Sequence, residues 1–183
     1  MADSVQHNKF RAIFDWFDQG QDGWLTQGDL QAMAGRFAGL AKDDPENATA
    51  MRDAFDLWWQ LLLEHGDSDG DGRISREEFI AVMGENVTTP EHFETAILAI
   101  ADALMRALDT DGDGALDRTE YVRVYDELGV PPVHSGSAFE RLDRDGNGLI
   151  SHEEWRIAIC EFYLSGDPDA PGNWLIGPID TVL

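Results

Sequence analysis

The sequence predicts an all-α fold of four helix–loop–helix units in two pairs that pack into one body. Three observations predict it. Asp-rich, Gly-punctuated segments recur from Asp18, Asp67, Asp109 and Asp143. Each lies between apolar stretches with helical rather than alternating spacing. Capping residues and prolines fall where helices of that length would begin.

Taken in order, the first unit enters on a face of Phe10, Ile13, Phe14 and Phe17. Asp44-Pro45-Glu46 sets a capping carboxylate before a proline at the first helical position, so the second entering helix starts near residue 45. Phe79, Val82 and Met83 continue the period after its loop. Thr89-Pro90-Glu91 repeats the start signal near residue 90, and Phe93, Ile97, Ile100, Leu104 and Leu108 share the next face. Val122 and Tyr125 follow the third loop, and Trp155, Ile159 and Phe162 the fourth. Gly129 through Gly136, with Pro131 and Pro132, reads as a non-helical link. The stretch from Gly166 to Leu183 reads as a loop that docks through Trp174, Leu175 and Ile176. The expected division is an N-terminal pair over 1–87, a C-terminal pair over 88–164 and a docking tail over 165–183.

Composition limits the function. At 183 residues the chain can bury about 70% of its unfolded surface. Thirty-six acidic against 13 basic side chains give a formal charge of −23, which repels phosphate backbones and anionic lipid and argues against nucleic-acid or membrane partners. An aromatic content of 10% argues against disorder, so the carboxylates need counter-cations. A single cysteine, Cys160, excludes an internal disulfide and suits a reducing compartment. The start MADSVQHNKF has neither a basic flank nor an apolar run, so no signal peptide is expected. No apolar run approaches the roughly 18 residues of a membrane span. The expectation is a cytoplasmic monomer.

A hard divalent cation takes about six to eight oxygens, and a twelve-residue calcium loop supplies them from positions 1, 3, 5, 7, 9 and 12. Position 6 must turn sharply, which favours glycine. The second loop, DSDGDGRISREE, offers Asp67, Asp69, Asp71, the Arg73 carbonyl and Glu78, with Ser75 acting through water. The third, DTDGDGALDRTE, offers Asp109, Asp111, Asp113, the Ala115 carbonyl and Glu120, with Asp117 through water. The fourth, DRDGNGLISHEE, offers Asp143, Asp145, Asn147, the Leu149 carbonyl and Glu154, with Ser151 through water. All three match the D-x-[DN]-x-[DN]-G-x5-E signature of the EF-hand loop. Their ligand-position side chains together carry about −12, so three calcium ions would offset half of that.

The first loop, DQGQDGWLTQGD, is compromised. Asp18, Asp22, the Trp24 carbonyl and Thr26 are in place. Gly20 at position 3 has no side-chain oxygen, and Asp29 at position 12 has a shorter stem than glutamate. This site is expected to be weak for calcium or to lean toward magnesium, or to survive as the pairing partner of the second loop. Position 8 is apolar in every loop (Leu25, Ile74, Leu116, Ile150), as strand contacts between paired loops require. Ser75 with Glu78 and Ser151 with Glu154 read as capping boxes.

With these motifs the chain resembles the sarcoplasmic calcium-binding protein group, including calerythrin-like proteins and calexcitin. Four hands with a long first spacing (Asp18 to Asp67) and a short last one (Asp109 to Asp143) carry the likeness, as does Asp29 at position 12. The tail FYLSGDPDAPGNWLIGP also resembles tails of coelenterazine-binding relatives. The resemblance implies two hand pairs in one compact body around an aromatic-rich core, mostly in calcium-buffering roles.

Six tryptophans (16, 24, 58, 59, 155 and 174) read as core, with a ligand cavity as the alternative. Five scattered histidines (7, 65, 92, 134 and 152) read as surface, and Cys160 as a small buried hydrophobe. No nucleophile–base, phosphate-cradle or HExxH arrangement occurs, so no enzyme is expected. Three roles remain: a calcium buffer or signal modulator, a sensor gripping an unidentified target protein, and a carrier of a small apolar ligand. Few methionines and many rigid aromatics favour the buffer.

Overall fold

Helices form where the apolar period and the caps place them. The computed structural model describes residues 5–41 and 43–178. Residues 1–4 of the first pair and 179–183 of the tail therefore lie outside the described residues. The first hand enters on Val5–Phe17 and leaves on Gln27–Leu40. The second enters on Pro45–Gly66, where the Asp44 carboxylate accepts the Asn47 amide at 3.0 Å, and leaves on Arg76–Val82. A π-helical turn, Met83–Val87, extends that helix. The third hand enters through Pro90–His92, a second π turn at Phe93–Leu98, and Ala99–Leu108. It leaves on Arg118–Leu128, and the fourth runs from Ser135–Leu142 to His152–Leu164.

Two short antiparallel ladders join the loops: β1 (Trp24–Leu25) with β2 (Ile74–Ser75), and β3 (Ala115–Leu116) with β4 (Ile150–Ser151). The register sets Leu25 opposite Ile74 and Leu116 opposite Ile150, and all four side chains are fully buried. Each such burial stabilises by about 1.5–3 kcal/mol. The position-8 residues thus anchor each loop pair to the core.

Three expectations need correction. The stretch from Gly129 to Gly136 is not wholly non-helical. Gly129, at φ +67°, ends the exiting helix, but Pro132–His134 forms a 3-10 turn and Gly136 lies inside the next helix. A Cβ on Gly136 would stand 3.0 Å from the Arg118 guanidinium, so this glycine permits a close approach instead of breaking the helix. Val122 is only half-buried, because the inward face of its helix is Tyr121, Val124 and Tyr125. Cys160 is half-buried, and so are His92 and His134, while His7, His65 and His152 are exposed.

The core runs unbroken between the hand pairs. Phe14 meets Phe79 edge-on, Phe17 packs on Phe55 and Trp58, and Trp16 stacks on Phe162 at 6.1 Å. Polar contacts reinforce it. Asn47 Nδ2 donates to the Ala103 carbonyl at 2.9 Å, and Gln6 Nε2 to the Tyr163 carbonyl at 2.8 Å. Lys9, fully buried, donates to the carbonyls of Glu161 and Ser165 at 3.0 and 2.8 Å. Burial lowers the Lys9 pKa to about 8 against the pull of Glu161 and Asp167. The tail closes over this seam. Gly172 sits so tightly that a Cβ would come within 2.5 Å of the Ala158 carbonyl, and Leu175 and Ile176 are buried. No helix among the described residues is long and apolar enough to cross a membrane.

Candidate metal centre

Loop geometry follows from the residues at positions 1 and 6. The position-1 carboxylate accepts amides from the far side of its own turn: Asp67 takes Gly70 and Gly72, Asp109 takes Gly112 and Gly114, and Asp143 takes Asn147 and Gly148. The position-6 glycines Gly72, Gly114 and Gly148 hold φ between +79° and +89°, where a side chain would be strained. The first loop shares this skeleton, with Asp18 accepting the Asp22 and Gly23 amides at 3.2 and 2.9 Å.

The acidic side chains converge in three of the four loops. Carboxylate oxygens of Asp67, Asp69 and Asp71 lie within 4.8 Å of one another, as do those of Asp109, Asp111 and Glu120, and those of Asp143, Asp145 and Glu154. Such triplets of hard anionic oxygen fit a calcium-sized cation. Among the described residues the first loop forms no such triplet. Asn147 and Asp113 turn inward to the turn itself: Asn147 Oδ1 accepts the Leu149 amide and Asp113 Oδ1 the Ala115 amide. The backbone of Trp24, Arg73, Ala115 and Leu149 lies within or just before the four strands.

The position-12 glutamates bridge the two ends of each loop. Glu78 Oε1 accepts the Ser68 amide and hydroxyl while Oε2 accepts the Ser75 amide and hydroxyl. Glu120 joins Thr110 to Asp117, and Glu154 joins Arg144 to Ser151. Burial raises the Glu78 pKa, but the hydrogen bonds from Ser68 and Ser75 prevail and hold it at about 2. Burial is likewise outweighed at Glu120 and Glu154, whose pKa values are lowered by equivalent bonds. Asp111 moves the other way. The Asp113 amide lowers its pKa, yet burial and the charges of Asp113, Glu120 and Asp109 leave it raised.

Asp29 reaches only one end. Its Oδ2 accepts the Thr26 amide and hydroxyl at 2.8 and 2.6 Å, while the Gln19 amide at position 2 donates to the Phe17 carbonyl instead. One methylene fewer breaks the bridge. Ser75, Ser151 and Asp117, expected to act through water, also cap the exiting helices: both serine hydroxyls bond the position-12 glutamate, and Asp117 Oδ1 accepts the Thr119 and Glu120 amides.

Several contributors escaped sequence reasoning. Ser68 and Thr110 at position 2 fasten the glutamates with their hydroxyls. Arg73 lies over the Trp24 ring at 4.3 Å and pairs with Asp71 at 2.7 Å, so the position-7 side chains link the first two loops. Gln21 holds φ +51°, the only non-glycine with positive φ among the described residues. Arg144 in the fourth loop pairs with Glu161 at 2.6 Å, and Glu161 in turn accepts the Gly172 amide of the tail.

Comparisons with known proteins agree with this geometry. A family model described as an EF-hand domain pair matches residues 8–84, and a second, described as EF hand, matches 100–125 and 137–157. A sarcoplasmic calcium-binding protein of Perinereis vancaurica tetradentata is 32% identical over 82 residues, covering 45% of this chain and 46% of that one. A parvalbumin beta of Boa constrictor is 28% identical over 80 residues, 44% of this chain. The chain spans 64% of the length of that parvalbumin and 46% of the Perinereis protein. Among solved structures, a sarcoplasmic calcium-binding protein from amphioxus superposes with a TM-score of 0.74 at 21% identity, covering 96% of this chain and 97% of that one. A Streptomyces coelicolor calcium-binding protein gives 0.70 at 28% identity, covering 88% and 99%. The chain belongs to the EF-hand superfamily of calcium-binding proteins, and its fold is that of the sarcoplasmic calcium-binding proteins.

Proposed function

We propose that the chain is a calcium buffer or signal modulator of the cytoplasm, working through three calcium sites. The ligands are Asp67, Asp69, Asp71, the Arg73 carbonyl and Glu78; Asp109, Asp111, Asp113, the Ala115 carbonyl and Glu120; and Asp143, Asp145, Asn147, the Leu149 carbonyl and Glu154. Asp18, Asp22, Asp29 and the Trp24 carbonyl form at most a weak or magnesium-leaning site, and the first hand serves chiefly as partner to the second. The two pairs, 1–87 and 88–164, act as one body under the 165–183 tail.

The observation that supports a buffer over a sensor is where the apolar groups lie. Met33, Met51, Met83 and Met105 are all buried, and Val133 and Leu164 are the only large hydrophobics exposed among the described residues. A sensor needs an adaptable apolar groove that it can present to a target. Calcium titration by calorimetry, with and without magnesium and with a hydrophobic dye present, tests the reading. Three calcium ions per chain with little new dye fluorescence are expected. A large calcium-dependent dye signal would establish the sensor instead, and no binding tighter than about 1 mM would end the calcium reading altogether.

A second reading, a carrier of a small apolar ligand, is favoured by an internal chamber of about 80 Å³ between the hand pairs, walled by Phe17, Trp58, Ile97, Leu104 and Trp155. It is compatible with calcium binding.

A further inference from the structure

We infer that Asn147 is a self-modification site: in the fourth loop without calcium, its side-chain amide is attacked by the Gly148 nitrogen, loses ammonia and becomes aspartate or isoaspartate. The inference rests on the reading of that loop as a calcium site and adds a covalent record of the time it spends without the ion.

Asn147–Gly148 is the chain's one Asn-Gly step; Asn8, Asn47, Asn86 and Asn173 all precede residues with a Cβ. A glycine leaves the attacking backbone nitrogen unshielded and the backbone free to close a ring. Both residues are exposed, so water reaches them. The loop also gathers the reacting groups. Asn147 Oδ1 accepts the Leu149 amide at 2.8 Å, which folds the side chain back across Gly148 and sets a donor on the oxygen that turns negative during attack. Asn147 Nδ2, the leaving nitrogen, donates to Asp145 Oδ2 at 3.0 Å. The Gly148 amide hydrogen, which must depart, points at Asp143 Oδ2 across 2.9 Å.

The step balances with water as the only co-reactant. The Gly148 nitrogen bonds to Asn147 Cγ, the Cγ–Nδ2 bond breaks, and the departing nitrogen takes the Gly148 proton and leaves as ammonia. A succinimide ring remains. One water opens it, at Cγ to give aspartate or at the backbone carbonyl carbon to give isoaspartate. Asp71 and Asp113, the matching residues of the second and third loops, also precede glycine, but a carboxylate repels a nucleophile and has no amine to release. Aspartate at 147 gives the fourth loop the acidic pattern of the second, and replaces a donor to Asp145 by a charge that repels it. That product binds calcium more tightly and resists its loss less well. Isoaspartate lengthens the backbone by a methylene just before Gly148, which displaces the Leu149 carbonyl and weakens the site.

Calcium gates the reaction. Ring closure requires the Asn147 side chain to turn and the Gly148 amide to leave Asp143. As ligands of one ion, Asp143 and Asn147 are held still. Without it, the carboxylates of Asp143, Asp145 and Glu154, within 4.8 Å of one another, repel and loosen the loop. If only the ion-free loop reacts, calcium slows the reaction by the factor 1 + [Ca]/Kd, about 100-fold at 1 mM calcium for a site of about 10 μM.

The full chain is incubated at neutral pH in ¹⁸O-labelled water, with calcium or with a chelator, and the fourth-loop peptide is followed by mass spectrometry. Calorimetry on the same samples counts bound ions. Residue 147 is expected to gain one ¹⁸O about 100-fold faster under chelation, while the other four asparagines stay unlabelled. Glu154→Gln keeps the chain calcium-loaded through the second and third loops and weakens the fourth, so it separates gating from general unfolding. In calcium it should label residue 147 at close to the chelated rate. No label at residue 147 under chelation would overturn the inference, as would equal rates with and without calcium, or full protection in Glu154→Gln. An ion count that Glu154→Gln leaves unchanged would overturn the reading of the fourth loop as a calcium site, and the gating with it.

Discussion

The first and second loops are bound to each other through one strand ladder, yet only the second gathers a carboxylate triplet. They share the features that shape the backbone: aspartate at position 1, glycine at position 6 and a fully buried aliphatic at position 8. They differ at positions 3, 4 and 12, where Gly20, Gln21 and Asp29 stand against Asp69, Gly70 and Glu78. The comparison separates two jobs usually found in one motif. Positions 1, 6 and 8 build and dock the loop; positions 3 and 12, with position 1, are those proposed to hold the cation. On that proposal a hand can lose the second job and keep the first.

The largest effect expected falls on the shared job. Leu25→Ala, in the loop with no triplet, should destabilise the chain by about 3 kcal/mol through the cavity left opposite Ile74, and should weaken calcium binding at the second loop. Denaturant unfolding with parallel calorimetry measures both. If the second loop binds as before, the pairing role of the first hand is lost.

Glu78→Gln removes a charged bridge and should weaken calcium at that loop about 100-fold, or about 2.7 kcal/mol. Asp29→Asn, the same change in the first loop, should leave the number of tightly bound ions unaltered. Calorimetric stoichiometry separates them, and an equal loss from both would erase the distinction between the loops.

Restoring the missing parts is the converse test. A Cβ at Gly20 would stand 3.8 Å from Asp22 Oδ2 and 3.9 Å from Asp18 Oδ1, with nothing in the way. The triple change Gly20→Asp, Gln21→Gly, Asp29→Glu should therefore add a fourth calcium ion. A site of about 0.1 mM affinity would stabilise the chain by about 1.4 kcal/mol at 1 mM calcium. A count that stays at three would show that something besides these positions disables the loop.

The smallest effect belongs to Gln21 alone. Its left-handed backbone costs about 1–2 kcal/mol in a non-glycine residue, partly offset because glycine loses more entropy on folding. Gln21→Gly should raise stability without calcium by about 0.5 kcal/mol, read from the denaturant midpoint. A decrease would mean that the glutamine side chain supports the turn.

Much of this was legible in the sequence because the calcium loop encodes its own geometry. Helix starts at Pro45 and Pro90, the capping boxes of Ser75 and Ser151, and the pairing of Leu25 with Ile74 all follow from residue type and spacing. The π turns at Met83–Val87 and Phe93–Leu98 were not legible, because one widened turn leaves apolar spacing almost unchanged. Gly136 was misread because a glycine that admits a neighbouring arginine looks the same as one that breaks a helix. The roles of Ser68 and Thr110 were hidden for another reason. Position 2 supplies no ligand, so its hydroxyl matters only once the glutamate is seen reaching across the loop.

Lys9 has a consequence for how the chain is made. Its two carbonyl partners lie 152 and 156 residues downstream. On a ribosome adding about 5–20 residues per second, the amine waits roughly 8–30 s for them to emerge. The neighbouring Phe14 can meet Phe79 once the second hand is made, but Trp16 has no Phe162 to stack on until the fourth hand follows. The part of the seam that the last helix and the tail cover is thus the last to close, and a nascent chain stalled before residue 161 carries the face of its first helix around Lys9 and Trp16 without those partners.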